Sequence, residues 1–308
     1  MNYRTMTEAG SVPLIVAVVL AGGAMGSAQF VSGSIGSVHI ANVPFPTSVT
    51  LGAPLKGQAA AIYDPQAGKF LYALNEERQL PLASLTKVMT AATVLSLESP
   101  EKRVRITVDA LRPYGDSGLN PGDVWSLGNL VKFALVASSN DAIAAAAASA
   151  GAENILTLMN EEARRLGLVQ TYFLDPTGLD LTPSTAGAYG SARDMALLMA
   201  AFLKRFPEIL EVTARDGVPI GHAREATSTS VPIHDTPGLI GAKTGYTELA
   251  GGNLVVAFDA DIGRPLIAVV LGSTEEGRFE DMRVLIESAT AAVAASTRSG
   301  QAAAATVK

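Results

Sequence analysis

Apolar and polar positions along the chain predict strands near both ends of the folded part. Two short apolar runs, residues 59–63 and 70–74, flank a turn at 64–68 that contains Asp, Pro and Gly, a pattern typical of a hairpin. Two further apolar runs, 253–258 and 266–271, are separated by a polar turn near the carboxyl end. We expect the first and last strands to pair in one antiparallel sheet.

Helical patterns occupy the region between the two sets of strands. A helix is predicted to begin at Ser84, because Pro81 precedes it and residues 85–97 contain neither Gly nor Pro. The other predicted helices cover residues 127–136, 142–150, 152–166, 192–204 and 278–295. Strands, helices and strands in this order predict an α/β protein of the α+β type, with helices on the faces of the antiparallel sheet.

An apolar segment opens the chain. Residues 12–30 are largely apolar, and His39 is the only ionisable side chain between residues 11 and 40. At about 1.5 Å per residue this segment comes close to the ~30 Å thickness of a hydrocarbon core. Two interpretations stay open for residues 1–30: an uncleaved membrane anchor, or a signal peptide cut near residues 26–28. Both predict an extracytoplasmic protein, either anchored to the cell membrane or secreted.

The remaining boundaries follow from composition. Residues 31–57 are rich in Ser, Gly and Pro, which is typical of a linker. Residues 58–295 are predicted to form a single folded domain. The Ala-rich tail from 296 to 308 is predicted to be disordered.

Overall composition narrows the class of protein. Of the 308 residues, 48% are hydrophobic and 17% charged, which indicates a globular protein with a large core. A net charge of -6 argues against a nucleic-acid partner. The absence of cysteine excludes disulfides and thiol catalysis. The three histidines (His39, His222 and His234) do not stand in a pattern typical of a catalytic triad.

The first candidate motif pairs a hydroxyl with an amine. Ser84 and Lys87 are three residues apart at the predicted helix start, so they share one helix face. A serine needs an adjacent base to act as a nucleophile, and lysine can be that base only when it is neutral. Burial or a second cation would lower the lysine pKa, and Lys243 is the candidate for that cation. Taken alone, the motif is equally compatible with a capped helix and a surface lysine.

Two further motifs supply polar groups. Ser138-Ser139-Asn140 lies between two predicted helices, where Ser138 can relay a proton and Asn140 can hold a substrate amide. The same triplet is also typical of a helix N-cap. Lys243-Thr244-Gly245 precedes the last strands, where a strand edge can pair with an extended peptide and the glycine allows close approach.

In this order, the three motifs are the signature of penicillin-binding proteins and class A β-lactamases. From about residue 57 to 295, the sequence resembles the low-molecular-mass penicillin-binding proteins that act as D-alanyl-D-alanine carboxypeptidases. The resemblance implies a β-lactamase/transpeptidase-like fold. The similar segments are residues 81–90, 138–142, 175–179, 241–247, 252–255 and 277–278.

The resemblance also implies roles for individual residues. Ser84 would be acylated and Lys87 would be its base. Ser138 and Asn140 would complete the proton network and the amide clamp. The groups expected to bind the substrate are Lys243, Thr244 and Arg278 at its carboxylate, Gly245 at its backbone, and the backbone N–H groups of Ser84 and Tyr246 in an oxyanion hole.

A serine D,D-carboxypeptidase without metal or cofactor is therefore expected, with peptidoglycan stem peptides as substrate and β-lactams as inhibitors. Three alternatives stay open: a D,D-endopeptidase, a β-lactamase, or a catalytically silent cell-wall-binding protein. A recognisable omega-loop glutamate motif is missing from residues 160–185, which disfavours the β-lactamase. Many members of the family carry a further β-rich domain and a membrane-binding helix, so here we expect the N-terminal segment to contact the membrane.

Overall fold

A five-stranded antiparallel sheet forms the centre of the fold in a computed structural model that describes residues 45–112, 115, 118–151, 154–220 and 224–306. In spatial order its strands are β10 (Leu239–Thr247), β11 (Gly251–Asp259), β12 (Pro265–Ser273), β1 (Ala59–Asp64) and β2 (Lys69–Leu74). The predicted hairpin is β1–β2. The predicted pairing of first and last strands is confirmed, because β1 and β12 are neighbours, with Ala61 opposite Val269.

The other elements lie between β2 and β10 or follow the last strand. The helices are α1 (Thr86–Leu97), α2 (Leu127–Val136), α3 (Asn140–Ser149), α4 (Ile155–Arg165), α5 (Ala192–Arg205), α6 (Pro207–Leu210) and α7 (Gly277–Thr306). Three short strands form a sheet in which β7 (Ala188–Gly190) lies between β3 (Leu80–Pro81) and β6 (Tyr172–Phe173). Two further pairs are β4 (Arg103–Arg105) with β5 (Val124–Ser126), and β8 (Val218–Ile220) with β9 (Arg224–Ala226). Strands of two or three residues carry too little periodicity to be predicted.

The two ends of the folded part differ from the prediction. Residues 296–308 were expected to be disordered, but α7 continues through Thr306, and alanine has the highest helix propensity. At the other end, the predicted linker already belongs to the domain by residue 49. Val49 is buried and its N–H donates to the Leu71 carbonyl at 2.7 Å. The Lys56 and Gly57 N–H groups both donate to the Asp281 carboxylate, at 2.8 and 2.9 Å.

The predicted membrane segment, residues 1–30, lies outside the described residues. Among the helices that the structure does describe, none combines the length and the apolar character that crossing a bilayer requires.

Both faces of the sheet are buried, which makes it a rigid base for a site. Alternate residues of each strand point to opposite sides. One side packs beneath α5 and the central helices through Ala61, Val255, Ala257, Ile267 and Val269. The other side packs beneath α7 through Ile62, Val256, Phe258, Val270, Met282 and Leu285. Each large apolar side chain buried in this way contributes about 1.5–3 kcal/mol.

A buried asparagine joins the sheet to the segment that precedes α1. Asn253 of β11 is fully buried, and its Nδ2 donates to the Pro81 carbonyl at 2.9 Å. Its Oδ1 accepts from the Gly272 N–H at 2.8 Å. Next to it, β10 approaches the same segment so closely that a Cβ on Gly245 would lie 2.9 Å from the Leu82 carbonyl oxygen. The chain around residue 84 is thereby fixed against the edge of the sheet.

Candidate active site

Ser84 lies on a 3₁₀ turn, Ala83–Leu85, that leads directly into α1. The predicted helix start is therefore correct to within two residues. Ala83 has a φ of +49°, a left-handed conformation that is uncommon for a residue with a side chain. The Thr86 hydroxyl stabilises this turn by donating to the Ala83 carbonyl at 2.7 Å. The turn leaves Ser84 partly exposed, while its neighbours Ala83 and Leu85 are buried.

Lys87 is completely buried, and three acceptors from different parts of the chain surround its amine. Its Nζ donates to Ser84 Oγ at 2.7 Å and to Asn140 Oδ1 at 2.6 Å. A third hydrogen bond, of 2.9 Å, goes to the Thr177 carbonyl. The expected pairing of Ser84 with Lys87 on one helix face is present in the structure.

Burial lowers the pKa of Lys87 to about 7, and the nearby Asp175 carboxylate partly opposes this shift. An amine with this pKa is neutral in a large fraction of molecules at physiological pH, so it can accept a proton from Ser84. The sequence pointed to burial or to Lys243 as the cause of a lowered pKa. Burial is the cause here, because Lys87 has no exposed surface at all.

The triplet 138–140 caps α3 and also brings two polar side chains to the lysines. Ser139 is the N-cap of α3, where its Oγ accepts from the Ala142 N–H at 3.1 Å. Asn140 is the first residue of α3 and directs its side-chain oxygen to the Lys87 amine. Ser138 has a φ of +55°, and this turn directs its hydroxyl towards the sheet.

Lys243 approaches the cleft from β10. It is buried, and its Nζ donates to Ser138 Oγ at 2.8 Å and to the Thr244 carbonyl at 2.7 Å. Burial lowers the pKa of Lys243 well below its ordinary value, and the positive charges of Lys87 and Arg278 lower it further. The structure therefore pairs each lysine with its own serine.

Two threonine hydroxyls form a polar corner beside Lys243. The Oγ1 atoms of Thr244 and Thr229 lie 2.6 Å apart. Thr229 belongs to an irregular segment that is fixed to the end of α2, where its N–H donates to the Val136 carbonyl at 3.1 Å. Thr229 was missed by the sequence analysis, because it lies outside every helix, strand and recognised motif.

Arg278 is the second residue of α7, and its side chain contacts β10. Its Nη1 donates to the Gly245 carbonyl at 2.8 Å. Burial lowers the pKa of Arg278, while Glu275 and Glu276 act in the opposite direction. By contrast, the Tyr246 side chain is exposed, and only the backbone of this residue belongs to the edge of β10.

The segment 175–178 closes the other side of the cleft. From the sequence, this segment is expected only to resemble the family, without a role of its own. Here the Thr177 carbonyl contacts the Lys87 amine, and Gly178 has a φ of +82°. A Cβ on Gly178 would lie 2.0 Å from the Ala83 carbonyl oxygen, so only glycine fits. The Asp-Pro-Thr-Gly sequence is a recognisable turn signal, but nothing local indicates that the turn contacts Lys87.

All predicted site residues therefore meet in one cleft between the helical region and β10. A hydroxyl beside a buried amine that is neutral in a large fraction of molecules can attack an electrophilic carbonyl, and the threonine corner beside Lys243 and Arg278 can bind a carboxylate. Within the described residues, no group of three or more His, Asp or Glu side chains is placed to hold a metal ion.

Comparison with known proteins agrees with this chemistry. Residues 47–275 match the family model described as D-alanyl-D-alanine carboxypeptidase. D-alanyl-D-alanine carboxypeptidase DacC of Escherichia coli (strain K12) is 34% identical over 258 residues, which is 79% of this chain and 63% of that protein. A D-alanyl-D-alanine endopeptidase of Pseudomonas aeruginosa is 28% identical over 242 residues, 74% of this chain and 75% of that protein.

Among solved structures, penicillin-binding protein D2 from Listeria monocytogenes, in a cefotaxime-bound form, is similar with a TM-score of 0.69. It is 28% identical, and the match covers 78% of this chain and 99% of that one. The family match over residues 47–275 and the identity to the E. coli protein show that this chain belongs to the D-alanyl-D-alanine carboxypeptidase family.

Proposed function

We propose that this protein is a serine D,D-carboxypeptidase that removes the terminal D-alanine from peptidoglycan stem pentapeptides through an acyl-enzyme on Ser84. One observation carries the proposal: the buried Lys87 amine lies 2.7 Å from Ser84 Oγ and has a pKa of about 7. A neutral base in contact with a hydroxyl is what nucleophilic catalysis by serine requires.

Acylation would proceed by attack of Ser84 Oγ on the carbonyl carbon of the penultimate D-alanine. The hydroxyl proton passes to Lys87 Nζ as the new C–O bond forms. When the C–N bond breaks, the leaving amine of the terminal D-alanine takes up a proton. Ser138 is suited to deliver that proton, because its hydroxyl already contacts the Lys243 amine at 2.8 Å. Water then attacks the ester carbonyl and passes a proton back to the Ser138–Lys243 pair. As the C–O bond to Ser84 breaks, Ser84 Oγ recovers the proton held by Lys87 Nζ, and the shortened peptide is released as a carboxylic acid.

The edge of β10 provides the binding surface for this reaction. An extended peptide can pair with the free edge of a strand. The terminal carboxylate would lie at the Thr229 and Thr244 hydroxyls, with the Lys243 and Arg278 charges behind them. The backbone N–H groups of Ser84 and Tyr246 are our candidates for the oxyanion hole, where they would stabilise the developing negative charge.

The test is incubation with a peptide ending in D-Ala-D-Ala while D-alanine release is followed, together with labelling by a fluorescent penicillin. The wild-type protein should show both, and Ser84→Ala should show neither. The matched control is Ser96→Ala, whose hydroxyl donates to a carbonyl on the far end of α1. Labelling of the Ser84→Ala variant would show that another residue is the nucleophile.

A D,D-endopeptidase is the second candidate, favoured by the P. aeruginosa relative, of which this chain matches a larger share than of the E. coli carboxypeptidase. Mass spectrometry of digested muropeptides separates the possibilities. Pentapeptides shortened to tetrapeptides indicate a carboxypeptidase, and cross-linked dimers split into monomers indicate an endopeptidase. Neither change, without β-lactam labelling, indicates a silent binding protein, while rapid β-lactam turnover indicates a β-lactamase.

We also propose an extracytoplasmic location, with residues 1–30 as an anchor or a cleaved signal peptide. The apolar N-terminal segment and the cell-wall substrate support it. Amino-terminal sequencing of the protein from membrane and soluble fractions would distinguish the two. A mature amino terminus near residue 28 indicates cleavage, and an intact terminus in the membrane fraction indicates an anchor.

A further inference from the structure

A single carboxylate oxygen organises the turn that follows α4 and β6. Oδ1 of Asp175 accepts hydrogen bonds from the Thr177 N–H at 2.7 Å and the Gly178 N–H at 2.9 Å. It also accepts from the Thr177 hydroxyl. These three hydrogen bonds hold the backbone of the turn in one conformation. Because each peptide unit is planar, an N–H group that is held in place also fixes the carbonyl of the residue before it.

The same turn is attached to the nucleophile helix at three points. The Thr177 carbonyl accepts from Lys87 Nζ at 2.9 Å, and the Pro176 carbonyl accepts from the Thr90 hydroxyl at 2.7 Å. At the third point, Gly178 fits directly against the Ala83 carbonyl. Asp175 therefore fixes a backbone oxygen that is one of the three acceptors around the Lys87 amine.

We propose that Asp175 is a positioning residue for the base. Its carboxylate holds the Thr177 carbonyl against Lys87 Nζ, and its negative charge favours the protonated form of that amine. This inference rests on the proposed function, in which Lys87 takes the proton of Ser84. It assigns a role to a residue outside the three motifs.

The charges around Lys87 show why such a residue is useful. From the turn, Asp175 faces the amine with a negative charge, whereas Lys243 of β10 contributes a positive one. On α3, the neutral Asn140 contacts the amine, and the buried Asp141 is the next residue. Burial lowers the pKa of Lys87 and Asp175 partly opposes this shift, and a weaker base takes up the Ser84 proton less readily.

The experiment measures the second-order rate constant of acylation by a fluorescent penicillin between pH 5 and 9. The variants are Asp175→Asn, Asp175→Ala and, as a control for net charge, Asp261→Asn. Asparagine keeps an oxygen for the three donors and removes the charge, whereas alanine removes both. Asp261 is exposed in the β11–β12 turn, where its carboxylate accepts from the Ile262 N–H.

In the wild-type protein the rate constant should rise with pH as Lys87 loses its proton. Asp175→Asn should move the midpoint of this rise downward by about 1 pH unit, the lower end of the effect of a neighbouring opposite charge. Asp175→Ala should lower the rate about 10-fold or more at every pH, because the base is no longer held in place. Asp261→Asn should match the wild type.

Each outcome bears on a separate claim. A midpoint unchanged in Asp175→Asn overturns the charge effect, and a wild-type rate in Asp175→Ala overturns the positioning role. Failure of the wild-type protein to be acylated at Ser84 would instead refute the proposed function. Thermal unfolding of each variant checks that a lower rate does not reflect a loss of fold.

Discussion

Two buried lysines face each other across the cleft, and their surroundings differ. Lys87 stands on the helical wall, where it donates to acceptors from the 3₁₀ turn before α1, from α3 and from the turn at 175–178. Lys243 stands on the β10 wall, where its partners are Ser138 and a carbonyl of its own strand. Lys87 has a carboxylate nearby, whereas Lys243 has two cations.

This difference shows how one fold can give two buried lysines different pKa values. Burial lowers the pKa of both lysines, but their neighbours then act in opposite directions. The pKa of Lys87 stays at about 7, where protonation and deprotonation both occur at physiological pH. Burial and two positive neighbours lower the pKa of Lys243 well below its ordinary value, and its amine contacts the Ser138 hydroxyl, through which the proposed function would pass a proton to the leaving group. Four predictions test this contrast, in order of decreasing effect.

Replacing the lysine on each wall should have unequal consequences. Lys87→Met should lower the acylation rate by about 10⁴-fold, since the proposed general base is lost while methionine still fills the buried space. Lys243→Met should lower it by about 10²-fold, the lower end for a group that acts in proton transfer. Stopped-flow measurement with a fluorescent penicillin compares them. An equal or larger loss in Lys243→Met would reverse the assignment of the base.

The turn at 175–178 should not accommodate a side chain at residue 178 without moving. Gly178→Ala should lower the acylation rate about 10²-fold, because the turn must move away from Ala83 and takes the Thr177 carbonyl with it. Gly68→Ala is the matched control: it also has a positive φ, but no atom lies within 4 Å of its Cβ position. That variant should lose about 1 kcal/mol of stability and keep its activity. Similar rates for both variants contradict the proposed contact.

The burial of Lys87 should make the free energy of unfolding depend on pH. Its pKa is about 7 in the folded protein and near 10.5 when exposed, so the unfolded chain binds more protons between these values. Stability must then rise with pH across this window. From pH 7 to 9 this lysine should add about 2 kcal/mol to the free energy of unfolding. Urea unfolding of the wild type and of Lys87→Met isolates the contribution of this lysine. The free energy of unfolding should rise less with pH in the variant, and equal rises in both proteins would contradict the prediction.

On the β10 wall, the threonine corner should affect binding more than chemistry. Thr229→Val should raise KM for a D-Ala-D-Ala peptide about 10-fold, the value of one hydrogen bond to a charged group, with little change in kcat. Thr229→Ser keeps the hydroxyl and should restore KM. Steady-state kinetics of D-alanine release provides both constants. A fall in kcat alone would place Thr229 in the chemical step instead.

Local patterns were sufficient for much of this architecture. The Ser84–Lys87 contact follows from a spacing of three on a helix, and the hairpin follows from its turn residues. The roles of the site residues remain predictions, but the structure brings them together as expected. Asn140 is an example: its place after a capping serine was recognisable from sequence.

Features that depend on distant segments were not predictable in this way. The partner of Ser138 is decided by how β10 packs against the turn between α2 and α3, across 105 residues of chain. Thr229 contacts Thr244 from a segment without periodicity. The extent of burial around Lys87, which lowers its pKa, depends on the whole helical region. None of these has a signal within a window of 15 residues.

The position of β10 at the end of the sheet has a consequence for the protein's solubility. An uncovered edge strand offers unpaired backbone groups on which another chain can grow, and so promotes aggregation. Here the outer side of β10 faces the turn at residues 82–85, with Gly245 in near contact with Leu82. Under the proposed function, the backbone groups of β10 that could pair with another chain instead bind one extended peptide substrate.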